Sequence, residues 1–326
     1  MSPAAIFTSF LLLLSAASSA ALGGVYASAG ARVIRVRKDG RGDFGTVGEA
    51  LESIPEGGGR RWVVAIGGGE YWEKITVGRR KPYVTLYGKA WDKPVINYNG
   101  TAADYGTVNS ATFAVESEYF VAVNIVFKNS APEPDGKRRG AQAVALRISG
   151  DKAAFYGCKF IGFQDTLCDD RGRHFFHKCH IQGTVDFIFG NGRSIYMDTT
   201  IKSVARRTGV ITAQGRDKPE DSGGYTFVRC NITGSGRVLL GRAWRRRSRV
   251  VIAHSYMGGL VDPPGWSDFG QPGRDRTVFY GEYKNWGPGA DMSRRVDYAR
   301  RLSDEEARRF LRAGFIDGTA WINPPP

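Results

Sequence analysis

One repeat constrains this chain more than any other feature. Phe155-Tyr156-Gly157-Cys158-Lys159-Phe160 returns as Phe176-His177-Lys178-Cys179-His180-Ile181, and again as Tyr196-Met197-Asp198-Thr199-Thr200-Ile201. Cys158, Cys179 and Thr199 therefore stand 21 and then 20 residues apart. A fixed period in this range marks a solenoid, whose units bury their apolar sides only by stacking on one another. The repeating segments are rich in Val, Ile and Phe, which favours coils of β-strand over paired helices.

Equivalent positions on neighbouring coils of a parallel sheet lie about 4.8 Å apart. Three polar marks recur within the same region: Gln142 before Ala143-Val144-Ala145-Leu146, the run Gln164-Asp165-Thr166-Leu167, and Asp186 before Phe187-Ile188-Phe189-Gly190. Gln142 to Gln164 is 22 residues and Asp165 to Asp186 is 21. The period predicts that these residues converge on one outer face from three successive coils. Two carboxylates that close repel, and one pKa is driven above the other, which supplies an acid beside a base or nucleophile. Any one of these Asp residues alone would read as a turn residue capping a strand. Three marks in register make a candidate site.

With 326 residues and 42% hydrophobic content the chain can bury a large core, and the repeat argues for one elongated body rather than two domains. Met1 to Ala21 carries no charge and contains Phe10-Leu11-Leu12-Leu13-Leu14 ahead of Ser18-Ser19-Ala20, the pattern of a cleaved secretory leader. The apolar run is too short for a membrane span, so no stable membrane insertion is expected. This gives a leader over 1–21, a flexible segment over 22–31, a solenoid domain over 32–323 and a tail over 324–326. Asn99-Gly100-Thr101 and Asn231-Ile232-Thr233 are glycosylation sequons, which have meaning only in an exported chain.

Four cysteines are too few for a disulfide scaffold. Cys158, Cys179 and Cys230 occupy matching slots and read first as a buried ladder of small residues, while Cys168 with Cys179 offers a short loop closure as the alternative. The net charge of +14 suits a polyanionic partner. Nucleic acid is not expected, because no nucleic-acid-binding motif is present and export disfavours it. The basic runs Lys137-Arg138-Arg139 and Arg245-Arg246-Arg247 flank Gln142 and Trp244.

Short strands are predicted over Val33–Val36, Trp62–Ile66, Lys74–Val77, Tyr83–Tyr87, Val95–Tyr98, Phe113–Val115 and Phe120–Phe127, with further coils from Arg193 onward. Asn129–Gly140 reads as an external loop, and the insertions Arg216–Gly223 and Gly259–Arg276 are expected on the side of the site. Thr46-Val47-Gly48-Glu49 and Ser303-Asp304-Glu305-Glu306 have capping-box spacing. The first opens a short helix that would cover the open sheet edge, and the second a helix reaching about Arg312.

Other catalytic groups that the chain could offer beside these carboxylates are few. No Ser stands in a Gly-x-Ser-x-Gly elbow. The four histidines, His174, His177, His180 and His254, lack metal-ligand spacing, so no metal and no cofactor is expected. Carboxylate chemistry remains.

The ordered motifs Gly69-Glu70-Tyr71-Trp72-Glu73, the three marks above, Leu240-Gly241-Arg242-Ala243-Trp244, Gly265-Trp266 and Tyr280-Gly281-Glu282-Tyr283 resemble those of pectin methylesterases (pectinesterases). The plant form without an N-terminal inhibitor-like pro-region is the nearest match. The resemblance covers roughly Val33 to Trp321. It implies an all-β fold, a single-stranded right-handed parallel β-helix with short capping helices near both ends. It also implies hydrolysis of galacturonate methyl esters in cell-wall pectin, releasing methanol and free carboxylates. Asp186 matches the nucleophile, Asp165 the acid and then base, and Gln142 the oxyanion donor, with Gln164 in the same donor network. Arg242 matches the residue that holds the nucleophile, and Trp244 a substrate-contacting aromatic; Gln142 and Arg242 touch substrate as well.

A secreted monomer in the cell wall follows from the same resemblance, with homogalacturonan and a proteinaceous pectinesterase inhibitor as partners. So do a neutral-to-alkaline optimum and block-wise action. Cys168 departs from the usual Tyr of the family, Ala243 from Pro, and Phe269 and Tyr298 from Trp. Two alternatives stand beside this reading. One is a pectin-cleaving β-solenoid, for which an acidic cation cluster is missing. The other is a non-catalytic pectin-binding wall protein. Trp72, Trp266 and Phe163 offer two readings, a flat sugar platform like Trp244 or, as the first expectation for each alone, core packing; Tyr71 and Glu73 are expected in structural support.

Overall fold

Seven residues at one corner of the fold share a left-handed backbone. Asn124, Gly157, Lys178, Asp198, Arg229, His254 and Lys284 have φ between 48° and 60°. This is seen in a computed structural model that describes residues 31–322. Each of the seven directly follows a strand of an eleven-stranded parallel sheet running from Arg32–Val36 to Ala299–Arg301. Only one is glycine, so at the others the side chain strains the backbone by roughly 1–2 kcal/mol. What that strain achieves is a turn sharp enough to send the chain straight into the next strand. Phe120–Phe127, expected as one run, is accordingly two strands, Val121–Val123 and Val126–Asn129, broken at Asn124.

At six of the seven turns the next residue points inward. Ile125, Cys158, Cys179, Thr199, Cys230 and Ser255 are all buried, 0–4% exposed. The expected ladder of small residues is therefore present, and all four cysteines are free; the alternative pairing of Cys168 with Cys179 is not formed.

The other fourteen strands form a sheet that folds over on itself. One flank pairs Glu70–Trp72, Val95–Tyr98, Val126–Asn129, Lys159–Ile161 and His180–Gly183 in order. The other pairs Ile75–Val77, Phe113–Val115, Leu146–Ile148, Leu167–Asp169 and Ile188–Gly190. The long strands Thr200–Gln214 and Asn231–Arg242 run from one flank into the other. Each turn of the chain thus visits three faces, and the molecule is a parallel β-helix.

The repeat read from the sequence is the register of this structure. Phe155 pairs with Phe176 and Phe176 with Tyr196, and Phe160 pairs with Ile181 and Ile181 with Ile201. Their rings stack through the interior, Phe155 on Phe176 at 4.8 Å, Phe176 on Tyr196 at 4.6 Å and Tyr196 on Phe227 at 4.6 Å. Offset stacks of this kind add about 0.5–1.5 kcal/mol each to the burial they accompany.

Short helices lie near both ends. Val47–Glu52 is capped by Thr46, and both oxygens of Glu73 accept from its first N–H groups, Val47 at 2.9 Å and Gly48 at 2.7 Å. Glu73 is thus structural, as is Tyr71, whose hydroxyl donates to the Gly67 carbonyl. The capping box at Ser303 is formed, but its helix is only Asp304–Arg308, shorter than expected. Residues 1–30 and 323–326, which carry the expected leader and tail, lie outside the described residues.

Candidate active site

The face bearing Leu146, Leu167 and Ile188 is walled on both sides. Segments 99–112 and 130–145 lead into its strands at the entry corner, and 215–223, 243–248 and 268–278 lead away at the exit corner. The candidate residues lie in the groove between them.

Leu146 pairs with Leu167 and Leu167 with Ile188, so Asp165 and Asp186 precede equivalent positions on adjacent strands. Both have left-handed backbones, φ 64° and 51°. Aspartate tolerates that region better than most residues, and it turns both side chains outward at the corner. The Asp165 N–H donates to the Val185 carbonyl at 3.1 Å, which locks the two rungs together. Both carboxylates are nonetheless largely shielded from water, Asp165 8% and Asp186 4% exposed.

Arg242 arrives from the end of Asn231–Arg242 and grips Asp186 with both arms. Its Nε donates to Oδ1 at 2.7 Å and its Nη2 to Oδ2. Burial pushes the Asp186 carboxyl above its ordinary pKa, while the Arg242 hydrogen bonds and charge pull it back. For Asp165, burial drives the pKa well above the ordinary carboxylate range, the Asp186 charge adds to it, and Arg242 opposes. Burial is the larger influence at Asp186. The order of the two acids is kept, because Asp165 has no hydrogen-bonded guanidinium of its own.

Gln142 and Gln164 lie on the same corner of successive coils, with the Ala143 N–H donating to the Gln164 carbonyl at 3.2 Å. Both side chains are half-buried. Among the described residues no protein group hydrogen-bonds either amide, so two N–H₂ donors are free on the corner that carries the two carboxylates. Trp244 is 46% exposed and packs over Gly215, where an added Cβ would lie 3.5 Å from Trp244 Cδ1.

Phe269, which stands where the family has Trp, joins this arrangement through contacts that the sequence does not specify. Its ring lies 4.4 Å from the Arg242 guanidinium carbon and meets Trp244 edge-on at 5.9 Å. Its φ is 66°, and its N–H is held by Ser267 Oγ at 3.0 Å. The signal was the Ser267-Asp268-Phe269 spacing, which permits a side-chain turn, but nothing in it names the partner. Trp266 is core, 1% exposed, with Nε1 donating to Glu282. Trp72 is not: it is 56% exposed. Phe163 is half-buried.

A Ser194–His174–Asp169 trio also exists, with all three side chains fully buried. Asp169 and Ser194 both address Nδ1 of His174, at 2.5 and 3.5 Å, while Nε2 meets the Gly150 carbonyl. A base must take the serine proton on the nitrogen opposite its orienting carboxylate, so this trio cannot act as a nucleophile relay. His177 pairs with Asp198. No group of three or more His, Cys, Asp or Glu able to hold a metal ion is found among the described residues.

A profile described as Pectinesterase matches residues 33–319. The chain belongs to the pectinesterase family. It is 48% identical over 303 residues to Pectinesterase 2 of Olea europaea, an alignment covering 92% of this chain and 83% of that protein. Among solved structures it resembles pectin methylesterase from carrot, with a TM-score of 0.83, 34% identity and coverage of 89% and 94% of the two chains. It also resembles a pectin methylesterase in complex with a hexasaccharide, with a TM-score of 0.75, 25% identity and coverage of 90% and 98%. As a pectinesterase it is a carboxylic ester hydrolase with the parallel β-helix of that family.

Proposed function

We propose that this pectinesterase hydrolyses galacturonate methyl esters with Asp186 as nucleophile and Asp165 as acid and base. The observation that carries this reading is the pair of buried carboxylates on adjacent rungs, of which only Asp186 is held by a guanidinium. The Asp186 carboxylate attacks the ester carbonyl carbon, and the oxygen gains negative charge within reach of the Gln142 and Gln164 amides. Such donors matter most where charge develops in a water-poor site. Protonated Asp165 gives its proton to the departing methoxy oxygen, so methanol leaves and an anhydride joins Asp186 to the sugar. Asp165, now ionised, takes a proton from water as the oxygen attacks the acyl carbon. Asp186 departs as carboxylate, the uronic acid is freed, and Asp165 is again protonated.

Arg242 and Trp244 bound the sugar at this point, the guanidinium fixing the nucleophile and the exposed indole offering a flat apolar face. The substrate is homogalacturonan in the cell wall. The net charge of +14 suits the polyanion that de-esterification produces. Secretion through the Met1–Ala21 leader, a monomeric state, a proteinaceous inhibitor and sugars on Asn99 and Asn231 belong to the same proposal. Both asparagines are exposed, and no described helix is long and apolar enough to cross a membrane.

Methanol release from esterified pectin tests the reading. Asp186→Asn is expected to abolish turnover and Asp165→Asn to reduce it by at least about 10²-fold, the range of a lost acid–base group. Undiminished turnover in both variants would overturn the assignment. Pectin binding without methanol release by the wild type would favour a non-catalytic wall protein.

A further inference from the structure

The groove does not end at Gln142. Segment 99–112, which walls it upstream, is fastened to the site: the Ala102 N–H donates to the Gln142 carbonyl at 2.8 Å and the Ala103 N–H to that of Gly140 at 2.9 Å. On and beside this segment lies a group of partly exposed rings. Trp72 is 56% and Tyr105 42% exposed. Trp72 meets Tyr98 at 5.9 Å with the rings tilted by 50°, the Tyr98 and Tyr105 hydroxyls are 3.4 Å apart, and Lys74 Nζ sits 4.8 Å from the centre of the Tyr105 ring.

Position and charge say what could lie there. Ile75 pairs with Phe113, Phe113 with Leu146 and Leu146 with Leu167. The strand beside Lys74 is thus three strands from the one beside Asp165, about 14 Å along the same face. Between them Arg147, on the groove floor, donates to Asn109 of the walling segment and to Glu116. Burial and the charge of Arg147 depress the pKa of the Lys74 ammonium. An anion beside Lys74 would relieve that repulsion. Tilted, exposed rings offer flat apolar faces to the C–H surface of a sugar, and an ammionium among them offers a partner for a carboxylate.

We propose that Trp72, Tyr98, Tyr105 and Lys74 form a distal subsite for a de-esterified uronic acid ring of the chain whose ester lies over Asp165 and Asp186. The inference rests on the proposed substrate and extends it. A chain several rings long spans both places; a short one reaches only the carboxylates. The subsite therefore favours long substrates that already carry free carboxylates upstream of the reacting ester.

The test compares wild type with Trp72→Ala, Tyr105→Ala and Lys74→Gln on partly esterified polygalacturonan and on an esterified trimer. Each variant should lose about 3- to 10-fold in kcat/KM on the polymer, through KM, with the trimer unchanged. Equal loss on both substrates, or none on the polymer, would overturn the subsite. Should the wild type release no methanol at all, the reaction itself is wrong, and calorimetric titration with polygalacturonate decides the subsite alone. Binding by the combined triple variant as tight as that of wild type would then refute it.

Discussion

Arg242→Gln separates the two influences on the nucleophile. Asp186 is 4% exposed, and both of its oxygens accept from one guanidinium. Glutamine removes the charge and the fork but leaves a polar side chain of similar reach. The effects of burial and of Arg242 on the Asp186 pKa have opposite signs, burial raising it and Arg242 lowering it. Without Arg242 burial is unopposed, so the pKa rises, the ionised fraction falls at any given pH, and the acid limb of kcat/KM moves to higher pH. A hydrogen bond to a charged group contributes about 1.5–3 kcal/mol. Each 1.4 kcal/mol is about tenfold in rate, so the loss at the wild-type optimum should be between about 10- and 10²-fold. Arg242→Lys keeps a charge without the fork and should move the limb less.

The assay is methanol release across a pH series, with circular dichroism to confirm that each variant is folded. An acid limb that stays in place, or moves to lower pH, would show that the guanidinium does not govern ionisation of the reacting carboxylate.

Replacing Arg245, Arg246 and Arg247 with Ser should raise KM on low-ester pectin more than on fully esterified pectin; an equal rise on both would remove these residues from substrate binding. Glu73→Gln weakens two charge-assisted bonds at the start of Val47–Glu52 and should lower stability by about 1–3 kcal/mol in urea unfolding, with kcat of the folded enzyme unchanged. At Asp198 burial acts upward, but the hydrogen bonds from His177 and Arg229 outweigh it and hold the carboxyl at about 2. A depressed folded pKa contributes stability above the unfolded value and loses it as pH falls, here between about 4 and about 2. Asp198→Asn should therefore cost about 1–2 kcal/mol at neutral pH, after allowance for solvent screening, and nothing at the acid end of that window.

Much of this was readable in the chain because the repeat carries its own register. Phe155, Phe176 and Tyr196 align in the sequence and stack in the structure. The spacing of Asp165 and Asp186 placed them on adjacent rungs for the same reason. The corners were harder to read, since Asn124, Lys178 and Asp198 adopt a backbone that glycine would have announced and they do not. For Trp72 core packing was the first expectation and an exposed platform the second, and its strand decides for the second: Tyr71 points inward, so Glu70 and Trp72, its alternating neighbours, face out. Phe269 was legible as a departure from the family's Trp, but its contact with Arg242 was not, because that depends on how an insertion closes across coils rather than on any local pattern.

The single-residue corners have a consequence for how such a molecule can diverge. Adding or deleting one residue there would swap inward and outward positions along the strand that follows, so this edge is closed to changes of length. The chain has put its long segments at the other two corners, the ones that border the groove. Lineages of this architecture are thus free to reshape what they recognise by lengthening those rims, while the stack of rings behind them goes on unaltered.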